Sequence, residues 1–404
     1  MGDDGGDASG NGRSRRRMLA LIGPGLLVAA TGVGAGDLAT AGFAGAELGV
    51  AVAWAVVVGA AMKLVVTENL GRHQLATGRT VLESAFGQLG WWVWVPFGVY
   101  LIAWSYFVGG ALISANSTAL MALFGQTGAG WGVGFGVAAS LAGLAIAWLG
   151  GFVWFERVMG VCAGVMVLVV LGGAAVSSPD LGAIARGLVV PTVPAMRDGG
   201  GSGLGWTVAL MGGVGGTLTI VCYGYWMREA GREDASRLGA MRVDIAIGYG
   251  MTALFGVAML VIAAPIDPAG RGLGLIVNLA DGLGARVEEM AGEHAGVVAR
   301  GAFLVGVVGA VFSSLVGVWQ SVPMVFADWV RSRPRGGPGG GRSAVPMGAV
   351  STGGFAYRGF LVAIAVVSML SLWADFRQVQ QVYAVVGAAF VPGLAAELLV
   401  LNNR

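Results

Sequence analysis

The chain has little of what soluble proteins carry on their surfaces. Only 11% of its 404 residues are charged, whereas soluble domains carry about 25%. Hydrophobic residues make up 56% of the sequence, and the mean hydropathy is +0.77. This composition excludes an ordinary soluble domain and predicts an integral membrane protein with many spanning segments.

Histidine and cysteine are also scarce, which limits the kinds of site that the chain can build. With only His73 and His294 present, a histidine-rich metal site is excluded. The two cysteines, Cys162 and Cys222, fall in apolar runs and are predicted to be buried thiols rather than a disulfide or a metal-binding pair. No resident cofactor and no nucleic-acid partner are expected, and a net charge of +2 indicates no particular partner.

Ten stretches of the sequence are apolar and long enough to cross a bilayer, which takes about 20 residues. Residues 1–17, which end in an arginine-rich run, are predicted to be a disordered cytoplasmic tail. Residues 18–404 are predicted to form a single all-α transmembrane domain. The predicted spans lie near residues 19–48, 50–70, 92–123, 132–150, 155–176, 205–228, 242–265, 297–327, 357–373 and 379–401.

The basic residues are distributed unevenly between the predicted loops. With an even number of spans and the N-terminus inside, most of the 24 Lys and Arg residues lie on the cytoplasmic side. This asymmetry follows the positive-inside rule, so both termini are expected in the cytoplasm. The membrane is expected to be a bacterial plasma membrane. The residues that fall on the outer side are Arg186, Arg197, Arg271, Arg286, Arg300 and Arg377.

The spans divide into two repeats of five, residues 19–176 and 205–401, and because five is odd the second repeat is inverted. The opening span of each repeat carries a similar glycine-rich sequence, GVGAG at 32–36 and GVGGT at 213–217. Paired interruptions of this kind point to a transporter's binding site. We therefore predict helix breaks near 33–36 and 215–219. In a chain with 73 glycines, a chance match is the alternative.

Asp37 is the acid in the middle of the first apolar stretch. A carboxylate near the bilayer centre costs roughly 2.5 kcal/mol or more, so it indicates a functional site by default. Glycines at 32, 34 and 36 weaken the helix beside it by about 1 kcal/mol each, and a broken helix frees carbonyls that can hold a cation. The pattern predicts a cation site, with N-capping of the second half-helix as the alternative role of Asp37.

Two segments resemble the Nramp family of divalent-metal transporters. They are GPGLLVAATGVGAGDLATAGFAGAELG, from Gly23 to Gly49, and TENLGRHQLATGRTVLE, from Thr67 to Glu83. The matching pieces are Gly23-Pro24, the run GAGDLAT at 34–40 and the run LATG at 75–78. The resemblance implies a LeuT-like fold, with ions bound between unwound first and sixth helices.

The chain also departs from the family's motifs. The acid of the family's DPGN motif falls on Gly34, and its asparagine falls on Asp37. The family's M-P-H motif falls on residues 219–221, which read Thr-Ile-Val, and its third-helix acids fall near Gly109 and Leu112. A sulfur ligand is therefore missing, and an all-oxygen set suits Mg²⁺, Mn²⁺ or Ca²⁺ better than softer ions. The metal site that the resemblance implies comprises Asp37, Thr31, Gly34, Gly216 and Thr219.

Charged residues near the cytoplasmic ends of the second and sixth spans suggest an inner gate. The candidates are Glu68, Arg72, Arg228 and Glu229, and interface anchoring is the alternative role.

The predicted function is transport of a divalent metal cation by alternating access, with the ion and the lipid bilayer as partners. A LeuT-fold carrier of a small organic substrate and a non-transporting ion-sensing relative are the alternatives. A membrane enzyme would need clustered His or Asp/Glu ligands at membrane depth, whereas the chain offers one mid-span acid, so an enzyme is not expected.

Overall fold

The architecture is taken from a computed structural model of the protein, which describes residues 23–177, 179–197, 199, 201–266, 274–334, 350–373 and 376–402. The predicted tail 1–17 lies outside the described residues. So does most of segment 331–356, whose basic, Pro/Gly-rich sequence predicts a flexible cytoplasmic loop. The described part is almost entirely helical.

The helices are numbered in chain order, and short 3-10 helices at Gly49–Val52, Ala235–Arg237 and Ser368–Trp373 join some of them. The α-helices are α1 (Pro24–Gly32), α2 (Ala35–Leu48), α3 (Ala53–Thr77), α4 (Val81–Leu89), α5 (Trp91–Leu123), α6 (Ala129–Leu149), α7 (Gly151–Val176), α8 (Leu181–Val189), α9 (Leu204–Gly213), α10 (Thr219–Glu229), α11 (Leu238–Ala263), α12 (Gly274–Ala291), α13 (Glu293–Arg331), α14 (Phe355–Val367) and α15 (Phe376–Asn402).

The predicted apolar stretches correspond to these helices in order, and seven of the described helical segments are long and apolar enough to cross a membrane. The first stretch is divided into α1 and α2, and the sixth into α9 and α10. The breaks leave residues 33–34 and 214–218 outside the helices. The predicted interruption of both helices is therefore confirmed, as is the all-α membrane fold. The assignment of residues 19–176 and 205–401 as two repeats of one domain stays a prediction.

Glycine makes both breaks sterically feasible. Gly215 and Gly216 have φ angles of 89° and 83°, a region that side chains with a Cβ rarely adopt. Gly34 has ordinary φ, but a Cβ there would lie 2.3 Å from Ser314 Oγ. The two breaks also touch, since a Cβ on Gly32 would lie 2.9 Å from the Gly215 carbonyl carbon. The glycine-rich sequences thus bring two non-helical backbones into direct contact.

Long helices surround the two breaks. Helix α13 packs against α1, α5, α6 and α7 and forms one wall of the molecule's interior. On the other side, α11 packs against α1, α2 and α3, and α3 packs against α9 and α10. The breaks therefore lie between a wall built on α5 and α13 and a wall built on α3 and α11.

The two cysteines lie in helices of this packed interior as free thiols. Cys222, in α10, is fully buried, and Cys162, in α7, is partly buried; neither forms a disulfide.

Candidate cation site

A cavity lies where the two breaks meet α5 and α13. Four of the five residues predicted for the metal site line it: Thr31, Gly34, Gly216 and Thr219. Its remaining lining comes from the first break, from α5 and from α13, namely Gly32, Gly36, Trp104, Val108, Ala111, Leu112, Ser314 and Val318. The wall is therefore mostly apolar, with a few hydroxyl groups and unwound backbone.

Thr31 and Thr219 are the two hydroxyl-bearing residues predicted for the metal site that line this cavity. Thr31 Oγ1 is buried and has no hydrogen-bond partner among the described residues. A Cβ on Gly317 would lie 2.1 Å from that atom, so only glycine on α13 leaves room for the Thr31 side chain. Thr219 Oγ1 lies close to Gly216, where a Cβ would come within 2.3 Å of it. An unpaired buried hydroxyl is rare, and this one belongs to a residue that lines the cavity.

Asp37 does not line the cavity but lies beside it. It occupies the first turn of α2, directly after Gly36, and its side chain is 1% exposed. Asp37 Oδ2 accepts a hydrogen bond from the Gly215 N–H at 3.0 Å. The N-cap residue of α2 is Gly34, and no side chain caps this helix. The alternative role of Asp37 as an N-cap is therefore wrong: its hydrogen bond joins the first broken helix to the second.

Lys63 is the charged partner that sequence reasoning missed. It is the only lysine in the chain, lies in the middle of α3 and is 1% exposed. Lys63 Nζ donates hydrogen bonds to the Gly212 carbonyl, at 2.9 Å, and to the Val214 carbonyl. The available signal was a charged residue inside an apolar span, which is the same signal that singled out Asp37.

The hydrogen bonds of Lys63 and Asp37 meet on one peptide unit. The Val214 carbonyl accepts from the ammonium, and the Gly215 N–H donates to the carboxylate. The C=O and N–H of a trans peptide point in opposite directions, so the two charged groups flank this peptide. Their charges also attract each other across it. The second break is thus fixed on one side by a cation and on the other by an anion.

Neutral hydrogen bonds hold the breaks against α5 and α13. Ser313 Oγ and Ser314 Oγ of α13 donate to the Ala30 carbonyl at 3.0 and 3.3 Å. On the other wall, Trp104 Nε1 of α5 donates to Thr217 Oγ1 in the second break at 3.1 Å. These side chains take up part of the hydrogen-bonding capacity that the unwinding of each helix leaves open.

The donor set around the breaks is made of oxygen. In the part of the chain that the structure describes, no three His, Cys, Asp or Glu side chains come together as a metal-ligand cluster. A cation at the cavity would therefore be held by hydroxyl and carbonyl oxygens, with one carboxylate beside them. Hard cations prefer such a set.

The predicted inner-gate residues do not form one network. Glu68 pairs with Arg242 of α11 at 2.7 Å and more weakly with Arg72 at 4.0 Å. Arg228 instead pairs with Glu83 of α4 at 3.1 Å. Glu229 forms no ion pair among the described residues and is half-buried.

Arg228 belongs to a more buried cluster at the end of α10. Glu83 also pairs with Arg331 at 3.2 Å, and Arg331 pairs with Asp328 at 2.9 Å. Asp328 accepts a hydrogen bond from the Tyr225 hydroxyl at 2.5 Å. The cluster joins α4, α10 and α13. Glu83 was not predicted because it follows the second span in a segment that carries no apolar-span signal, although the Thr80–Glu83 spacing is that of a capping box.

Asp244 anchors the start of the first broken helix. Its carboxylate accepts from the backbone N–H groups of Gly23 and Gly25, at 3.1 and 2.8 Å, and pairs with Arg232 at 3.4 Å. A carboxylate is favoured at a helix N-terminus, so this contact ties α1 to α11. Sequence reasoning did not identify it, although Asp244 also lies within a predicted apolar span.

Two interrupted helices at matching places, with a cavity between the breaks, define a membrane transporter of the LeuT-like class. The chain matches the family described as "Natural resistance-associated macrophage protein-like" over residues 25–404. It therefore belongs to the Nramp family, as the sequence motifs predicted, and this is a family of transporters rather than enzymes.

A curated relative and several solved structures are similar to the chain. It is 27% identical over 277 residues to the "Divalent metal cation transporter MntH" of Chromohalobacter salexigens. The match covers 63% of this chain and 59% of that relative, which is less than two thirds of the relative's length.

Among solved structures, the Eremococcus coleocola manganese transporter in complex with an aromatic bis-isothiourea substituted compound has a TM-score of 0.71 at 15% identity. That match covers 99% of this chain and 81% of the transporter. MhsT in complex with L-phenylalanine has a TM-score of 0.54 at 16% identity, covering 93% of this chain and 87% of MhsT. At these identities the likeness concerns the fold.

Proposed function

We propose that the protein is a secondary transporter that moves a divalent metal cation across the membrane by alternating access. Membership of the Nramp family and the name of its MntH relative support a metal cation as cargo. The alternative of an organic substrate is less well supported, because the likeness to MhsT concerns the fold alone.

The observation that carries this proposal is the oxygen-bearing cavity between the two breaks. Thr31 lines this cavity, and its Oγ1 is buried without a hydrogen-bond partner among the described residues. Thr219 and unwound backbone at Gly34 and Gly216 also border it. A cation in the cavity would give Thr31 Oγ1 the partner that it lacks, and hydroxyl and carbonyl oxygens are ligands for Mg²⁺, Mn²⁺ and Ca²⁺.

Asp37 supplies the negative charge next to this site in our proposal. It follows the cavity-lining Gly36, and its hydrogen-bond partner Gly215 precedes the cavity-lining Gly216. The Lys63 ammonium already balances part of this charge. Entry of a divalent ion would therefore require the hydrogen bonds of the second break to rearrange. Ion binding would thereby be coupled to movement of the broken helix α9–α10 in the alternating-access cycle.

The remaining features follow from the same proposal. The cluster of Glu83, Arg228, Arg331 and Asp328 serves as the inner gate, in place of a gate built on Glu68 and Arg72. Both termini lie in the cytoplasm, the protein resides in a bacterial plasma membrane, and the chain carries its cargo without a resident cofactor.

Uptake into proteoliposomes tests the proposal. Vesicles containing the protein are supplied with Mg²⁺, Mn²⁺, Fe²⁺, Ca²⁺ or Cd²⁺, with and without a pH gradient, and uptake is normalised to folded protein. We expect saturable uptake of at least one hard divalent ion. Asp37→Asn should reduce it by orders of magnitude, because losing a charge next to a divalent ion costs several kcal/mol at an effective dielectric constant near 20.

A second arm of the same experiment tests the oxygen ligands. Thr219→Met replaces a hydroxyl by a soft thioether at the cavity and should raise Cd²⁺ affinity relative to the harder ions. Absence of flux for every ion, or near-normal uptake by Asp37→Asn, would contradict the proposed cargo site. Unchanged Cd²⁺ affinity in Thr219→Met would instead locate the ion away from α10.

A further inference from the structure

The position of Lys63 is unusual for a lysine in a membrane protein. Lysines near helix ends extend toward the interface, whereas Lys63 lies in the middle of α3 and is 1% exposed. A buried ammonium is costly unless it is hydrogen-bonded and faces an opposite charge. Lys63 has both, since it binds two backbone carbonyls and is attracted to Asp37.

The two carbonyls belong to the C-terminal end of a half-helix. Gly212 lies in the last turn of α9, and Val214 is its C-cap residue. The last carbonyls of a helix lack intrahelical partners and carry partial negative charge. In transporters built on broken helices, unwound carbonyls and half-helix C-terminal ends are positions that coordinate monovalent cations.

We propose that Lys63 is a tethered cation, whose ammonium fills the position at the C-terminal end of α9 that a free monovalent cation would otherwise occupy. The position has two carbonyl ligands and faces the Asp37 carboxylate across one peptide unit. The wild-type protein therefore keeps its second break in place without binding Na⁺ or a similar ion there. This inference does not depend on which cargo the cavity carries.

Vacating the position tests the inference. Lys63→Met keeps most of the side-chain volume and removes the charge, which leaves the Gly212 and Val214 carbonyls open to a free ion. The thermal unfolding midpoint of the purified variant is measured in NaCl, LiCl and choline chloride at equal ionic strength. We expect Na⁺ or Li⁺ to raise the midpoint by about 2–4 °C over choline, because an ion that binds only the folded state stabilises it.

Two controls locate the effect. The wild type should show no difference between the salts, because Lys63 already occupies the position. Asp37→Asn/Lys63→Met should lose most of the salt response, because the carboxylate that attracts the ion is gone. Equal midpoints of Lys63→Met in all three salts would overturn the inference. The same rise in the wild type, or an undiminished rise in the double variant, would do so too.

A second measurement applies if Lys63→Met does not fold. Because Lys63 is the only lysine, it is the only side-chain amine that an amine-reactive reagent can label. Peptide mass spectrometry separates it from the N-terminal amine, which serves as the internal reference. Native wild type should label at Lys63 at least about tenfold more slowly than unfolded protein, and Asp37→Asn should label faster than wild type. Labelling as fast in the native as in the unfolded protein would refute the tethered cation. Neither readout involves a divalent ion, so a failure here is distinct from a failure of metal transport.

Discussion

Asp37→Asn should destabilise the protein, although it removes a charge from the interior of a membrane protein. The Asn side chain keeps an oxygen that can accept the Gly215 N–H, so the hydrogen bond at 3.0 Å can survive. The charge that faces Lys63 is lost, and removing one partner of a buried pair costs about 3–5 kcal/mol. Because a peptide unit separates the two charges, we expect the lower end, about 3 kcal/mol, or roughly 6 °C in the unfolding midpoint.

Lys63→Met should cost more, since it removes the charge and also the donor to two carbonyls. Unpaired buried acceptors add about 1–3 kcal/mol to the loss of the opposite charge. In Asp37→Asn/Lys63→Met neither charge remains, so the only destabilisation that persists comes from the two unpaired carbonyls. The destabilisation of the double variant should therefore be smaller than the sum of the single effects by the two charge-loss contributions, about 3 kcal/mol each.

Thermal unfolding in detergent measures this coupling. All variants are heated at one scan rate in choline chloride, because membrane-protein unfolding is often irreversible and its midpoint depends on the rate. Asp281→Asn is the matched control: its partner is Arg300 at 2.6 Å, the two side chains are 55% and 39% exposed, and the expected loss is below about 1 kcal/mol. Additive midpoints, or an Asp37→Asn variant as stable as wild type, would refute the electrostatic pairing of Asp37 and Lys63.

Two further substitutions test close contacts around the breaks. Gly317→Ala would place a Cβ 2.1 Å from Thr31 Oγ1 and should lower the free energy of unfolding by about 1–3 kcal/mol. Its control is Gly301→Ala in the same helix, which should be neutral or slightly stabilising because a Cβ there meets nothing within 4 Å. Glu83 has a side chain that is 4% exposed and is paired with two arginines, so Glu83→Gln should lower the free energy of unfolding by about 3–5 kcal/mol. Glu68 has a partner that is 53% exposed, so Glu68→Gln should lower it by less than about 1 kcal/mol. Equal midpoints within either pair of variants would contradict the contacts described here.

The membrane fold could be predicted because its signals are local. Apolar stretches of about 20 residues mark spans. Glycine-rich runs in the first and sixth spans mark breaks, since glycine readily adopts the φ of 83° seen at Gly216, which other residues rarely do. Four of the five residues predicted for the metal site also line one cavity. They do so because the two runs occupy matching places in a fold that brings both breaks together.

The partners of Asp37 could not be predicted from the same signals. The carboxylate bonds to Gly215, a residue 178 positions away, so no spacing along the chain reveals the contact. Lys63 did carry a local signal, but counting basic residues by loop obscured it, because that count tests topology rather than depth in the membrane. The pairing of the candidate gate residues could not be predicted for a related reason: Glu83 and Arg228 are 145 positions apart, and proximity to a span end does not determine which charges pair. The gate itself stays a prediction.

The distribution of contacts indicates which parts of the protein can move against each other. Around the breaks, the charged groups Asp37 and Lys63 bind within the group of helices α1, α2, α3 and α9. The links from the breaks to α5 and α13, such as Trp104 to Thr217, are neutral hydrogen bonds, each worth only about 0.5–1.5 kcal/mol net. Sliding between these two groups therefore breaks weak contacts and keeps the charged ones. The exception is the cluster around Glu83 at the end of α10, where charged contacts do cross to α13. In the proposed transport cycle, opening the cavity at that end has to break ion pairs. We therefore expect the cluster, rather than the cavity itself, to set the energy barrier to ion exchange between the cavity and the inner side of the membrane.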